Sequence, residues 1–313
     1  MKSFVWIEPD DLKAAVTAGA QPGSLFKAGG VDVADRLKEH IDEPRQLVNL
    51  RRLRELEFVK LEGGTLRLGP LLTLAAVADD VRIRKAAPAL SQAVAAAATP
   101  QIRNLATLGG NLAQRPRCWY FRREEFRCRK KGGGTCFAID GQNEEHAVFG
   151  NQICAIVHPS AAATALTALD AAFVLQGPSG SRTVAASEFF VLPDQDVTRE
   201  NVLRTGEIIV EIRLPANRPS AYVKLMEKQS FDWPLAEAAV NIGSPARVVL
   251  GAAAPVPWRA REAEAMIEGR KLDPALIDAA AKAAVRGARP LQHNGHKLAL
   301  LETAVRRALG SLT

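Results

Sequence analysis

Leu25-Phe26-Lys27-Ala28-Gly29-Gly30-Val31-Asp32 begins as an apolar strand, runs into a glycine turn and is followed by a helix predicted over Val33–His40. Glycine lacks a Cβ and tolerates positive φ, so a Gly-Gly turn between a strand and a helix exposes backbone N–H groups. The dipole of the helix adds to their attraction for an anion. The stretch therefore predicts an α/β unit whose turn can hold a phosphate group.

A second glycine turn, Thr107-Leu108-Gly109-Gly110-Asn111, has the same form. Two such turns can hold one pyrophosphate from two sides. Neither matches the dinucleotide fingerprint of three spaced glycines or the P-loop with its Lys-Ser/Thr pair. Because a Gly-Gly turn is most often only a tight corner, the pattern alone indicates no more than an anion or nucleotide site.

The order of the predicted elements indicates an α+β protein in three parts. Short strands alternate with helices over residues 1–60, a βαβ-like order that favours helical crossovers. Residues 61–178 contain alanine-rich helices and the second glycine turn, with an irregular insertion at about 114–156. Antiparallel strands at Glu207–Leu214, Ala221–Met226 and Leu235–Ile242, followed by helices, predict a separate C-terminal α+β domain over residues 179–313.

All four cysteines lie within 37 positions, at Cys118, Cys128, Cys136 and Cys154. Four thiolates complete a tetrahedral zinc site or one 4Fe–4S cluster, whereas two disulfides suit small secreted domains that lack a core. The gaps of nine, seven and seventeen residues differ from the paired C-x-x-C knuckles usual for zinc. That irregularity favours a loop that surrounds a larger metal group such as a 4Fe–4S cluster. The spacing alone, however, does not decide between a zinc site and an iron–sulfur cluster. His146 and His158 are further candidate ligands, although four sulfurs leave them no vacancy.

Basic residues are concentrated around the first two cysteines. Between Arg115 and Lys131 lie eight Arg or Lys residues against two Glu, in a chain whose net charge is +7. A phosphate-binding surface would give this pattern, and so would basic side chains that compensate four thiolates and a negatively charged cluster. A solvated basic loop is the third explanation. On the residues alone, a zinc-stabilised nucleic-acid-binding module therefore stays open.

Several function classes find no support in the sequence. There is no Ser-His-Asp set and there are no paired carboxylates in suitable surroundings, so no catalytic residue is predicted. No apolar run reaches the roughly 18–20 residues that span a bilayer. Residues 1–10 carry acids where a signal peptide keeps an apolar stretch. We therefore expect no membrane span and no export signal on this chain.

Longer stretches around both glycine turns carry a resemblance to a known family. Phe26-Lys27-Ala28-Gly29-Gly30-Val31-Asp32-Val33 resembles the first flavin-binding loop of the FAD subunit of the xanthine dehydrogenase family of molybdenum hydroxylases, and residues 100–112 resemble its second loop. Residues 206–215 and Tyr222-Val223-Lys224 are similar to landmarks of its C-terminal domain. The cysteine segment resembles that of the FAD subunit of bacterial periplasmic aldehyde oxidoreductases more closely than that of 4-hydroxybenzoyl-CoA reductase.

The resemblance implies a two-part N-terminal FAD-binding α/β domain of the PCMH type, followed by a C-terminal domain of antiparallel sheet plus helices. The residues that it implies for FAD are Phe26, Lys27, Ala28, Gly29, Gly30, Val31, Asp32, Val33, Thr107, Gly110, Asn111, Ser160, Val210 and Lys224. It also implies one 4Fe–4S cluster held by Cys118, Cys128, Cys136 and Cys154. Ala161 stands where family members often have an acid, which leaves the binding of the ribose or adenine end of FAD open.

The resemblance further implies partner subunits in a heterotrimer. A large subunit would hold the molybdenum cofactor and the substrate site, and a small subunit would carry two 2Fe–2S clusters. This chain would pass electrons through FAD, with a nearby 4Fe–4S cluster, to an external acceptor in an aldehyde oxidoreductase. A xanthine dehydrogenase or a hydroxybenzoyl-CoA reductase-like enzyme is the alternative within the family, and a flavoenzyme that acts alone is another. The expected location is the periplasm, through co-export with a signal-bearing partner, or the cytoplasm, with no nucleic-acid partner.

Overall fold

A small parallel sheet opens the fold in the computed structural model, which describes residues 1–228 and 231–313. Its strands β1 (Val5–Ile7), β2 (Ser24–Lys27) and β3 (Gln46–Asn49) lie in the order β1-β3-β2, with helices α1 (Leu12–Gly19) and α2 (Val31–Lys38) between them along the chain. This is the predicted βαβ arrangement. Helix α2 begins two residues earlier than predicted because Gly30, at φ +84°, is already its N-cap.

The second part begins with a hairpin and a group of short helices. Strands β4 (Val59–Glu62) and β5 (Thr65–Leu68) pair with each other in antiparallel register. The helices are α3 (Leu74–Asp79), α4 (Val81–Ala86), α5 (Pro88–Ala95), α6 (Pro100–Leu105) and α7 (Leu108–Leu112). Helices α4 and α5 are separate because Pro88 occupies the first helical position of α5 and ends any continuation from α4.

The cysteine segment folds as a series of short turns between the two halves of the second part. It contains helices α8 (Trp119–Arg122) and α9 (Phe137–Asp140) and a 3₁₀ turn at Arg129–Lys131. Tyr120, Phe126 and Phe137 pack edge-on or stacked against one another, with ring centroids 5.1–6.1 Å apart. This aromatic cluster gives the insertion a small core of its own.

The chain then returns to complete a five-stranded sheet. The added elements are α10 (Ala161–Ala168), β6 (Ala172–Gly177), β7 (Gly180–Ala185), α11 (Ala186–Phe189) and β8 (Ile208–Pro215). The strands lie in the order β4-β5-β8-β6-β7, and every neighbouring pair is antiparallel. Strand β8 thus joins the two halves of this part across the insertion.

The sheet order favours a later start of the C-terminal part than the predicted residue 179. Strands β7 and β8 belong to the second sheet, since β7 pairs with β6 and β8 pairs with both β5 and β6. Local alternation of apolar and polar residues predicts a strand but does not show which sheet it joins. We propose that the boundary lies between Pro215 and Ser220, where the chain leaves the second sheet.

The C-terminal part is an antiparallel sheet covered by helices. Its strands β9 (Ser220–Leu225), β10 (Ala236–Asn241), β11 (Arg247–Gly251) and β12 (Trp258–Arg259) lie in the order β12-β11-β10-β9. Helices α12 (Arg261–Ile267), α13 (Pro274–Ala284) and α14 (Lys297–Gly310) follow, and α14 packs on β9 and β10. This is the predicted sheet-plus-helices arrangement.

Helix α10 fixes the second and third parts to each other. All eight of its residues are buried, and it packs on α5 and α7 on one side and on β10 and β11 on the other. Its alanines allow this close approach from two sides because their side chains are small. In the part of the chain that the structure describes, no helix has the length and apolar character needed to cross a bilayer.

Candidate functional site

A cleft of about 840 Å³ lies where the three parts meet. The loop between β2 and α2 and the loop that leads into α7 form one side of it. Ile208 and Ile209 at the start of β8 also line it, and Lys224 and Trp233 reach it from the C-terminal part. A space of this size and mixed lining is typical of a cofactor site.

The first glycine loop presents an uncapped helix end to this cleft. Gly30 is the N-cap of α2 and provides no side-chain hydrogen bond to the first helical turn. Because the first N–H groups of a helix have no partner within the helix, they are available to an anion. A Cβ on Gly29 would lie 2.2 Å from the carbonyl oxygen of Leu105, so glycine is required where the two loops touch.

The second glycine loop is held in place by its own hydrogen bonds. The N–H of Gly109 donates to the Pro70 oxygen at 2.8 Å, so this group is already used within the protein. Thr107 caps α7 by accepting the N–H of Gly110 at 3.2 Å. The Asn111 side chain accepts a hydrogen bond from Ser160 Oγ at 2.6 Å. The predicted glycine turn is therefore the first turn of a capped helix.

The structure brings most of the predicted cofactor residues together on the cleft. Those that line it are Phe26, Ala28, Gly29, Gly30, Val31, Asp32, Val33, Thr107, Gly110, Asn111 and Lys224. Three others do not. Lys27 Nζ lies over the Trp6 ring and 3.4 Å from Asn49 Oδ1, and Val210 packs into the core of the first part. Ser160 is buried behind Asn111, where it also caps α10.

Asp32 connects the first glycine loop to the cysteine insertion. Its carboxylate lies 2.6 Å from Arg122 Nη2, 3.0 Å from Arg117 Nη2 and 3.1 Å from Arg36 Nε. It also accepts the backbone N–H of Arg115 at 3.1 Å. Burial would raise the pKa of Asp32, but the three guanidinium groups together hold this pKa below its ordinary value. The insertion therefore fixes the position of the loop that faces the cleft.

Glu200 makes a second connection between the insertion and the cleft wall. The buried Glu200 carboxylate lies 3.0 Å from Arg115 Nε and 2.8 Å from Lys130 Nζ. Burial would raise its pKa, and these two cations outweigh burial and lower it. Arg115, Arg117, Arg122 and Lys130 are thus paired inside the molecule. Much of the basic run compensates internal carboxylates, an explanation that the sequence pattern did not suggest.

Several residues on the cleft wall were not predicted from the sequence. Glu237 lies opposite Lys224 across β9 and β10, and its side chain accepts a hydrogen bond from Thr164 at 3.4 Å. Burial raises the pKa of Glu237, and burial lowers the pKa of Lys224. The guanidinium of Arg117 lies 5.3 Å from the centre of the exposed Trp233 ring. These pairs come from distant parts of the chain, so no local motif indicated them.

The four cysteines line one small cavity inside the insertion. Cys118, Cys128 and Cys136 each precede a short helical turn, so that backbone N–H groups follow each sulfur. Burial raises the pKa of Cys118 to about 12, although the N–H groups of Phe121 and Tyr120 act in the opposite direction. The hydrogen bond from Cys154, helped by nearby backbone N–H groups, lowers the pKa of Cys136 to about 6.

One histidine contacts a cysteine of this cavity. His146 Nε2 lies 3.2 Å from Cys118 Sγ, and burial lowers the pKa of this histidine to about 4. His158 is buried against Phe190 instead, with ring centroids 4.6 Å apart. Over residues 1–228 and 231–313, no three His, Cys, Asp or Glu side chains are grouped closely enough to hold a single metal ion. The four thiols thus face one another around a cavity without a compact single-ion geometry.

Sequence comparisons match the chain from end to end. Residues 2–217 match the family described as the FAD binding domain in molybdopterin dehydrogenase, and residues 221–311 match the CO dehydrogenase flavoprotein C-terminal domain. The chain belongs to the FAD-binding subunits of the molybdenum hydroxylase family. The predicted resemblance, the predicted fold class and the binding of FAD are confirmed. The two matched regions of this flavoprotein subunit meet where the chain passes from β8 to β9.

Relatives of this flavoprotein subunit include subunits of several oxidoreductases. It is 34% identical over 276 residues to the aldehyde oxidoreductase FAD-binding subunit PaoB of Escherichia coli K12, covering 85% of this chain and 86% of that one. It is 28% identical to the carbon monoxide dehydrogenase medium chain of Hydrogenophaga pseudoflava, covering 98% and 96%. The solved structure of carbon monoxide dehydrogenase from H. pseudoflava matches with a TM-score of 0.76 at 27% identity, over 99% of this chain and 97% of that chain.

Proposed function

We propose that this chain is the electron-transfer subunit of a heterotrimeric, molybdenum-containing aldehyde oxidoreductase. It receives electrons from a 2Fe–2S partner subunit and delivers them to an external acceptor, while a large partner subunit with the molybdenum cofactor binds the substrate. The observation that carries the proposal is the junction of the cysteine insertion with the FAD cleft, through Asp32 on one wall and Glu200 on another. The likeness to the E. coli aldehyde oxidoreductase subunit supports the substrate class.

The residues of the cleft fit FAD. We assign the diphosphate to the backbone N–H groups of residues 28–33, with Gly110 and Asn111 completing its site. Lys224 is held by the oxygens of Ala96 and Asp232 at 3.0 and 2.6 Å, so its ammonium group is positioned beside the cleft and favours negative charge there. When bound, FAD supplies the redox chemistry, and the chain supplies position and electrostatics.

The donor set of the insertion fits a 4Fe–4S cluster. Four thiols line one cavity, and backbone N–H groups point toward Cys118, Cys136 and Cys154. The hydrogen bond to Cys136 and burial raise the pKa of Cys154, and the Lys130 cation acts in the opposite direction. Such hydrogen bonds and cations stabilise thiolate ligands. The free space between the thiols is about 10 Å³, or room for about one water molecule. A 4Fe–4S cluster is larger than this space, so the four cysteine side chains must turn outward to bind one.

The test uses the complex as the native host makes it. A tagged copy of this chain is purified with whatever subunits accompany it, an aldehyde is added without oxygen, and the visible flavin absorption is followed. We expect two co-purifying subunits, one with molybdenum and one with 2Fe–2S clusters, and bleaching of the flavin by the aldehyde. Bleaching by a purine or by nicotinate but not by any aldehyde would contradict the proposed substrate class.

The compartment is tested on the same preparation. We propose export to the periplasm together with a signal-bearing partner, with the cytoplasm as the alternative. Fractionation of cells into periplasm and cytoplasm, followed by detection of the tag, distinguishes the two. Deletion of the partner's signal should move the tag to the cytoplasm if co-export is correct.

A further inference from the structure

His146 is the only histidine within hydrogen-bond distance of a cysteine sulfur among the residues that the structure describes. Its Nε2 atom lies 3.2 Å from Cys118 Sγ, and its side chain is almost fully buried. The Trp119 indole packs against the ring at 81°, with centroids 4.8 Å apart, and so limits its rotation. Packing therefore fixes the His146 ring beside Cys118 and outside the cavity that the cysteines line.

The C-terminal part of the chain sets the position of this histidine. Asn294 Nδ2 donates to the His146 oxygen at 3.1 Å and to the Ala147 oxygen at 3.2 Å. The buried Lys297, at the start of α14, donates to the Glu145 oxygen at 2.9 Å. Three hydrogen bonds from Asn294 and Lys297 thus hold the backbone of residues 145–147, and the imidazole is directed toward Cys118.

Iron ligation by Cys118 would fix the direction of the His146 hydrogen bond. A cysteine that binds iron has lost its proton, so its sulfur can only accept a hydrogen bond. The Nε2 atom must then carry the ring proton. The other ring nitrogen, Nδ1, is buried and has no hydrogen-bond partner in the described residues, so the contact with Cys118 is the ring's single polar interaction there.

We infer that His146 is a positioning residue for the iron–sulfur centre: it donates an Nε2–H hydrogen bond to the ligand Cys118 and thereby raises the reduction potential of the cluster. Hydrogen bonds to cluster sulfurs stabilise the added negative charge of the reduced state. The inference rests on the proposed 4Fe–4S cluster. It adds a residue from outside the cysteine set to the control of electron flow.

The first test measures the midpoint potential of the cluster in the full chain by EPR-monitored redox titration. H146L removes the donor and should lower the midpoint potential relative to wild type, whereas H146Q keeps an N–H donor and should restore part of the difference. H158L is the matched control, since His158 is equally buried but shares no hydrogen bond with a cysteine among the described residues, and its potential should equal that of wild type. Equal potentials in H146L and wild type would overturn the inference.

The second test uses only wild-type protein, so its result does not depend on whether a variant folds. Wild-type protein is labelled with ¹⁵N-histidine, the cluster is reduced, and pulsed EPR is used to detect coupling to nitrogen. A weak ¹⁵N coupling, transmitted through a hydrogen bond, is expected. No coupling would overturn the role of His146, and a coupling as strong as that of a directly bound imidazole would make it a ligand instead. Wild-type protein without iron would overturn the cluster itself, which separates failure of the proposed function from failure of this inference.

Discussion

At the scale of single residues, Asp32 has a role that differs from the one its position in the loop implies. It was predicted as part of the cofactor loop, and it does line the cleft. Its carboxylate, however, points to Arg36, Arg117 and Arg122, and the last two belong to the insertion. Asp32 therefore acts on the cleft through the backbone of the loop that it anchors.

This gives a prediction for D32N. Loss of the charge leaves three partly buried guanidinium groups without their shared partner, and breaking a buried ion pair in this way costs about 3–5 kcal/mol. We expect a lower urea midpoint of unfolding and weaker FAD binding, the latter measured by quenching of flavin fluorescence. D35N is the matched control, because Asp35 pairs with the same two insertion arginines but is half exposed. Its change should be about 0–1 kcal/mol, and equal losses in both variants would contradict the role given to Asp32.

At the scale of elements, the two glycine loops work as a pair because they touch. The 2.2 Å approach of a Gly29 Cβ to the Leu105 oxygen means that alanine there would push the loops apart. Purified G29A should contain much less FAD than wild type, as measured from the ratio of flavin to protein absorption. Gly310, at the end of α14, has open space where a Cβ would stand, so G310A should keep its flavin. Full flavin content in G29A would show that the loops do not hold the cofactor together.

Glu211 in the five-stranded sheet gives a prediction about how the stability of the protein depends on pH. Glu211 on β8 lies between Arg67 on β5 and Arg213 on β8. Burial would raise the pKa of Glu211, but hydrogen bonds from the two arginines outweigh it and lower this pKa to about 2. Because the pKa is lower in the folded state, the stabilisation is complete above the unfolded pKa of about 4.3 and is lost as pH falls toward about 2.

Urea unfolding between about pH 6 and about pH 3 tests this contribution. The midpoint of wild type should fall more steeply with pH than that of E211Q, which lacks the titrating carboxyl. E62Q serves as the control, since Glu62 also pairs with Arg67 but is exposed, and it should follow wild type. Parallel slopes in E211Q and wild type would contradict the predicted linkage.

Features of the fold and of the candidate site could be predicted where the residues that encode them are adjacent in the sequence. The first glycine loop and the strand and helix on either side of it were predictable, since each is encoded within a few adjacent residues. The sheet membership of β8 and the pairing of Arg115 with Glu200 were not, because each joins residues far apart in sequence. Ser160 was expected at the cofactor and lies behind Asn111, which only the packing of α10 shows.

At the scale of the whole molecule, the insertion is built into the cofactor subunit rather than attached to its surface. Its arginines reach both walls of the cleft through Asp32 and Glu200, and its histidine is held by the start of α14. Each of the three parts of the chain therefore contacts the cysteine segment. We propose that the chain carries two redox centres, one in the cleft and one among the thiols.

Quantification of flavin, iron and zinc in the purified chain, with EPR of the reduced protein, tests that claim most directly. We predict about one FAD and about four iron atoms per chain, with the signal of a reduced 4Fe–4S cluster. C136S should lose the iron signal, since this thiol is one of the four that line the cavity. Flavin accompanied by zinc without iron, or by no metal at all, would contradict the account.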